Sequence, residues 1–254
     1  MGFIGGAPAY WFLRQFYPGA RNGLMPAHDS FKARGVSKLA TYFGGGIFAE
    51  LADKVVIDFG CGLGDNALEL AARGCRHVIG LDIQEDHLAQ ARAKASALGL
   101  DQRTQFLTRY DGQADAILST DAFEHFADPA AILRIMHGLL KPSGFLLAEF
   151  GPTWYHPAGG HLFSVFPWSH LVFTEKALLR WRSDFKTDGA TRFGEVAGGL
   201  NQMTIARFER LVGESDFAFE SYELRPIRAA RRLHNSLTRE WLTSVIIARL
   251  RPKV

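Results

Sequence analysis

Asp58 and Asp82 flank a turn in which every second residue is glycine, Gly60-Cys61-Gly62-Leu63-Gly64. Glycine lets the backbone turn sharply and approach a bound group closely, because no Cβ intervenes. A helix that opens at such a turn presents N–H groups with no partner inside the helix. A carboxylate about twenty residues further on suits the two hydroxyls of a ribose. Together these parts predict a ligand that carries a nucleoside. A dinucleotide asks for a third glycine where this chain has Asp65, and for a phosphate beside Asp58, where a carboxylate repels it. The same carboxylate balances an amino or sulfonium group. The other reading of the stretch is a tightly packed strand–turn–helix with no ligand.

The elements that must position these residues follow from periodicity. Val55-Val56-Ile57 is a β-branched run suited to a strand buried on both faces. Ala67, Leu68, Leu70, Ala71 and Ala72 recur at helical spacing, and Gly74 closes that helix. Val78 to Leu81 is a second strand ending at Asp82. Glu85 to Leu98 reads as an amphipathic helix with Leu88, Ala91, Ala95 and Leu98 inward. Thr104 to Thr108 and Ala114 to Ser119 are the next strands. Pro129 opens a helix reaching Leu140, Lys141 to Gly144 make a turn, and Phe145 to Phe150 form strand five.

Asp58 with Gly60, Gly62 and Gly64 resembles the first motif of the class I S-adenosylmethionine-dependent methyltransferases. Thr120, Asp121, Glu124 and His125 are similar to that family's segment after strand four, and LLKPSGFLL to its entry into strand five, so the resemblance runs from Val55 to Phe150. It implies an α/β fold with a seven-stranded, mostly parallel, doubly wound sheet whose last strand is antiparallel. N-terminal helices and a lid inserted after strand five complete it. It implies S-adenosylmethionine as cofactor, with Asp58, Gly60, Cys61 and Gly62 around the methionine part and Asp82 on the ribose. Ile83, Asp111 and Gly112 fall by the adenine, and Thr120 at the tip of strand four joins the cofactor set. Asp111-Gly112 reads equally as a plain turn.

One domain over 1–254 divides into an arm (1–54), a cofactor-binding core (55–150), a substrate lid (151–203), and a C-terminal helix with an antiparallel strand pair (204–254). In the arm, Ala9 to Tyr17 is strongly aromatic, and a second helix runs from an N-cap at Asp29 or Ser30 towards Tyr42. The lid segment is rich in aromatics and histidine, and a connection that long is usually functional. Thr204 starts the last long helix, Phe217 to Leu224 is strand six, and Trp241 to Leu250 is the final strand.

His125, His156 and His161 are the candidates to accept a proton, since imidazole titrates near neutrality. Each has a plainer reading, as a hydrogen-bonding strut in the loop that carries it. Glu149, Trp154 and Tyr155 are the expected substrate pocket. Glu149 either fixes a substrate hydroxyl or amine or pairs with a lid residue. The spacing of Glu149, His156 and His161 follows no established ligand pattern, so no metal is expected.

Composition narrows the class. Hydrophobic residues make up 47% of 254, enough for one substantial core, and the formal charge is only +3. The basic run from Arg225 to Arg239 is not interleaved with aromatics, which argues against nucleic acid. Its arginines either greet an anionic substrate or form a solvated surface. The two cysteines, Cys61 and Cys75, lie at opposite ends of one helix and should not bridge. With no secretory signal, no myristoylation pattern at Gly6 and no membrane-span-length run, a cytoplasmic protein is expected. The reading is methyl transfer to a small molecule, oxygen first, with nitrogen or carbon open. Its rivals are a nicotinamide-dependent oxidoreductase and a non-catalytic S-adenosylmethionine-binding protein.

Overall fold

Strands buried on both faces need near-continuous apolar sequence, and five short runs of that kind set the middle of this fold. The structure, a computed structural model, describes residues 2–19, 35–196 and 198–253. Its strands are β1 (Val55–Phe59), β2 (His77–Leu81), β3 (Thr104–Leu107), β4 (Ala114–Thr120), β5 (Leu140–Phe150), β6 (Phe217–Pro226) and β7 (Thr243–Pro252). They form one sheet in the order β3-β2-β1-β4-β5-β7-β6. The pairings from β3 to β5 are parallel, and β7 runs antiparallel between β5 and β6. This is the doubly wound sheet with an antiparallel last strand that the sequence implies.

The described helices are α1 (Gly6–Phe16), α2 (Lys38–Phe43), α3 (Ile47–Leu51), α4 (Asp65–Ala72), α5 (Glu85–Ala97), α6 (Pro129–Gly138), α7 (Ser169–Val172), α8 (Glu175–Arg182), α9 (Ile205–Glu214) and α10 (Arg239–Leu242). Side-chain caps fix several starts: Ser37 accepts from Ala40 N–H, Asp128 from Ala131 N–H, and Thr204 from Arg207 N–H. One face of the sheet packs Leu133, Met136, Phe208 and Val212 from α6 and α9. The other packs Ala67, Leu70, Leu88 and Ala91 from α4 and α5, with Leu39, Ile47 and Leu51 from α2 and α3. A third core lies outside the sheet, where Ala9 and Leu13 of α1 meet Phe163, Phe173, Leu178, Trp181 and Phe193 of the lid. Ile4 also bridges to Phe173.

Four expectations change. The helix running towards Tyr42 begins at Lys38, because Ser37 caps it; the expected N-caps Asp29 and Ser30 lie outside the described residues. Lys141 to Gly144 do not break the chain before strand five. Ala114 pairs with Leu140 and Ala116 with Phe145, so these four residues bulge out of β5, and Lys141 Nζ meets Asp115 Oδ1 at 2.7 Å. Leu98 is not inward; it is 63% exposed, one residue past the end of α5. Trp241 and Leu242 close α10, and the final strand starts at Thr243.

Candidate active site

Chain order reverses between β1 and β4: the chain leaves β1 for β2 and β3 on one side, then returns to β4 on the other. In open α/β sheets such a switch point opens a crevice beyond the strand C-termini. The glycine turn lies there. Gly60, Gly62 and Gly64 have φ of +79°, +50° and +77°, a region that costs residues with a Cβ. Gly60 N–H and Cys61 N–H donate to Leu81 O at 2.8 and 3.0 Å, fastening the turn to the end of β2. A Cβ at Gly64 would sit 2.7 Å from the Phe106 ring and 2.8 Å from Ala91, so that glycine serves packing. A Cβ at Gly62 would meet nothing within 4 Å, so the turn faces open space there.

The two acids differ in role. Asp82 Oδ2 accepts from Gly62 N–H at 2.8 Å and its Oδ1 from Gln84 N–H at 2.9 Å, so the carboxylate is held at the turn. Asp58 is buried, and its Oδ2 has no hydrogen-bond partner among the described residues. Burial pushes its carboxyl up to about 7, against the opposing pull of the Ala67 N–H and the Lys38 ammonium. A buried carboxylate oxygen without a partner is costly, and a cationic ligand would satisfy it. Burial, then the charges of Asp58 and Asp82, drive the Cys61 thiol upward, so it stays protonated. Thr120 Oγ1 accepts from Asn66 Nδ2 at 2.8 Å and ties the tip of β4 to the start of α4. Ile83 is 92% exposed and Asp111 is exposed, both on the rim. Gly112 lies against Tyr110, whose hydroxyl oxygen would be 2.3 Å from a Cβ there. S-adenosylmethionine, which the fold family implies, fits this donor set: a partnerless buried oxygen for its positive charge and an open glycine for close approach.

Next to the donor side lies a polar cluster that the sequence did not flag. Lys38, from α2, pairs with Asp121 and lies 3.1 Å from Glu149 Oε2, where β4 and β5 end. Burial works to lower the Lys38 ammonium, but the charges of Glu149 and Asp121 outweigh it and hold it above its ordinary value. One ammonium cannot match two carboxylates. Asp121 is the more exposed of the two, while burial pushes Glu149 up to about 8. Glu124 is also buried and raised to about 8 by desolvation; its Oε1 accepts from Gly151 N–H, and its Oε2 has no partner among the described residues.

The three histidines separate. His125 Nδ1 lies 2.8 Å from Gly199 O, and a carbonyl only accepts. In the neutral ring the proton therefore sits on Nδ1, leaving the lone pair on Nε2. The His161 ring meets it edge-on, with centroids 5.2 Å apart. His156 is engaged within the lid: its Nδ1 accepts from Ala158 N–H, and burial followed by His170 lowers it to about 4. Trp154 packs on His170 and Phe193 in the lid core. Tyr155 stacks on Trp241, and its carbonyl accepts from Trp168 Nε1. Thus His125 and His161 come together, Glu149 joins Lys38 and Asp121, Trp154 and His156 bind lid to lid, and Tyr155 joins the lid to α10. Asn201 fastens the end of the lid to the loop after β4, donating from Nδ2 to Phe123 O and Phe126 O. In the basic connector, Arg225 pairs with Glu223 and Arg239 with Glu209. Among the described residues no group of three or more His, Cys, Asp or Glu is placed to hold a metal, and no helix is long and apolar enough to cross a membrane.

Residues 57–148 match the family model described as a methyltransferase domain. A ubiquinone biosynthesis O-methyltransferase of Pseudomonas aeruginosa is 38% identical over 102 residues, covering 38% of this chain and 44% of that protein. One from Dinoroseobacter shibae is 32% identical over 148 residues, covering 56% and 58%. The chain thus spans about half the length of the curated relatives it matches. Among solved structures, the PH0226 protein of Pyrococcus horikoshii aligns with a TM-score of 0.52 at 16% identity, over 95% of this chain and 99% of that one. An S-adenosylmethionine-dependent methyltransferase of Mesorhizobium loti gives 0.52 at 19% identity, over 80% and 92%. The [4+2]-cyclase SpnF gives 0.54 at 16% identity, over 82% and 80%. At such identities these likenesses carry the fold, and a cyclase among them means the fold alone does not name the reaction.

Proposed function

We infer that this chain, whose residues 57–148 match a methyltransferase domain, is a class I S-adenosylmethionine-dependent methyltransferase and transfers a methyl group to an oxygen of a small-molecule acceptor. The observation that carries the donor half is Asp58, buried beside the open Gly62 turn with one carboxylate oxygen unsatisfied. It favours a cation over the pyrophosphate of a nicotinamide dinucleotide. When bound, S-adenosylmethionine supplies a methyl group already activated on sulfur. The protein's share is alignment and a destination for the acceptor's proton. Asp82 holds the ribose hydroxyls, Asp58 balances positive charge, and Thr120 closes the tip of β4.

For the acceptor half, the Gly199 carbonyl orients His125 so that Nε2 is the basic atom. His125 takes the hydroxyl proton there as oxygen gains the methyl group. The relatives' printed name, an O-methyltransferase, supports oxygen over nitrogen or carbon.

The test is calorimetry with S-adenosylhomocysteine and with NADH, followed by transfer of labelled methyl to a panel of phenols and catechols. Heat with the first ligand only, and turnover that drops by about 10²–10⁴-fold in His125→Ala at unchanged S-adenosylhomocysteine affinity, is the expected result. Binding of NADH without binding of S-adenosylhomocysteine refutes the donor assignment. Unimpaired turnover in His125→Ala refutes the base.

A further inference from the structure

Asp58 has to meet a ligand if it balances the donor's charge, yet it is 1% exposed and its Oδ2 is buried. Something above that oxygen must move. The element placed to do so is α2. Its N-cap, Ser37, donates from Oγ to Glu69 Oε2 of α4 at 3.1 Å. Lys38 spans the tips of β4 and β5, pairing with Asp121 and lying 3.1 Å from Glu149 Oε2. The same ammonium acts on the Asp58 carboxyl, so it stands close to the crevice that Asp58 lines. At the other end of α2, Arg225 of β6 donates to the carbonyls of Thr41 and Tyr42 at 2.8 and 3.3 Å.

These fastenings are polar. Of the six residues of α2 only Leu39 is buried, whereas α3, just beyond, sets both Ile47 and Leu51 into the core. An element held by few apolar contacts opens more readily than the core beside it. Gly44, Gly45 and Gly46 join the two helices. Gly44 has φ of +85°, and a Cβ at any of the three would meet nothing within 4 Å. Such a joint absorbs backbone rotation without a clash.

We propose that α2 is a hinged latch on the donor crevice: it turns on residues 44–46, Lys38 pins it shut across the tips of β4 and β5, and donor and spent product pass when that pin lets go. The inference rests on the donor reading and adds to it the route of entry. Lys38 is here a positioning residue, acting on Asp121 and Glu149 and not on the reacting atoms. Because it secures the latch with or without a ligand beneath, loosening it speeds entry and exit alike.

The experiment is surface plasmon resonance of S-adenosylhomocysteine on the immobilised full chain. Lys38→Met raises the open fraction, so association and dissociation rate constants should both rise about tenfold, with Kd within about threefold of native. Lys38→Arg, which keeps a cation for the two carboxylates, should bring both rates back towards native. The double variant Gly45→Ala with Gly46→Ala adds no clash and narrows the joint, so both rates should fall; it tests the latch even where Lys38→Met does not fold. Native rates in Lys38→Met, a rise in dissociation alone, or unchanged rates in the glycine variant overturn the inference while leaving the donor reading standing. Failure of S-adenosylhomocysteine to bind the native chain removes the donor reading, and the inference with it.

Discussion

Asp58 makes the affinity for a cationic donor depend on pH in a calculable way. Burial holds its carboxyl at about 7 in the ligand-free protein. Below that value the protonated, neutral form dominates, and a neutral carboxyl offers a sulfonium or ammonium little. The competent, ionised fraction rises from about one in ten at about pH 6 to about nine in ten at about pH 8, so apparent Kd falls about tenfold across that window. Stability runs the other way. A folded-state value above the unfolded one contributes stability that is complete below the unfolded pKa and is lost as pH rises through the folded value. The ligand-free protein should therefore melt at lower temperature as pH climbs from about 4 towards about 7, while stabilisation by donor grows. Calorimetry with S-adenosylmethionine at several pH values, in two buffers of different ionisation enthalpy, reads both the trend and the proton released. Asp58→Asn should bind more weakly with the pH slope gone. Glu149→Gln, which removes a second raised carboxyl, should keep the slope. A flat Kd in the native protein, or a slope that survives Asp58→Asn, refutes the reasoning.

Asp82→Ala removes the acceptor of Gly62 N–H as well as the ribose partner; two charge-assisted hydrogen bonds of about 1.5–3 kcal/mol each predict at least a hundredfold loss of S-adenosylhomocysteine affinity by calorimetry, with circular dichroism unchanged. Gly64→Ala puts a Cβ at φ +77° against Phe106 and Ala91, and should cost about 1–3 kcal/mol, read as a melting temperature lower by several degrees. Lys38→Met strips the shared cation from Asp121 and buried Glu149. Because the Glu149 carboxyl is held up at about 8 and Asp121 is partly exposed, the loss should be largest, about 1–3 kcal/mol, at about pH 9, where Glu149 is ionised, and smaller at about pH 6, where it is protonated. Equal destabilisation at both pH values in denaturant titrations would contradict the shared-cation account.

The strand–turn–helix unit that carries the glycine turn was legible because its constraints are local. Glycines at every second position, an acid before them and an acid after them are demanded within one strand–turn–helix unit, and periodicity marks that unit. The β5 bulge was not legible, because Lys141-Pro142-Ser143-Gly144 has turn composition, and only pairing with β4 on both sides of it keeps it inside a strand. Lys38 escaped for a different reason. A lone lysine carries no spacing, and its meaning comes from two carboxylates more than eighty residues away in sequence. The candidate histidines looked alike in sequence; the Gly199 carbonyl and the Ala158 N–H are what give His125 and His156 different atoms to work with.

The third core has an implication for how this architecture can be altered. Leu13 and Ala9 come from α1, Phe173 and Trp181 from a segment well past the sheet's fifth strand, and the two groups share one hydrophobic interior. That third core is therefore a two-piece graft, and it sits entirely outside residues 57–148, the stretch that matches the methyltransferase-domain model. Retargeting by chimera would have to move both pieces together. Swapping the later piece alone would leave α1 facing water with aliphatic side chains fitted to a surface that is no longer there.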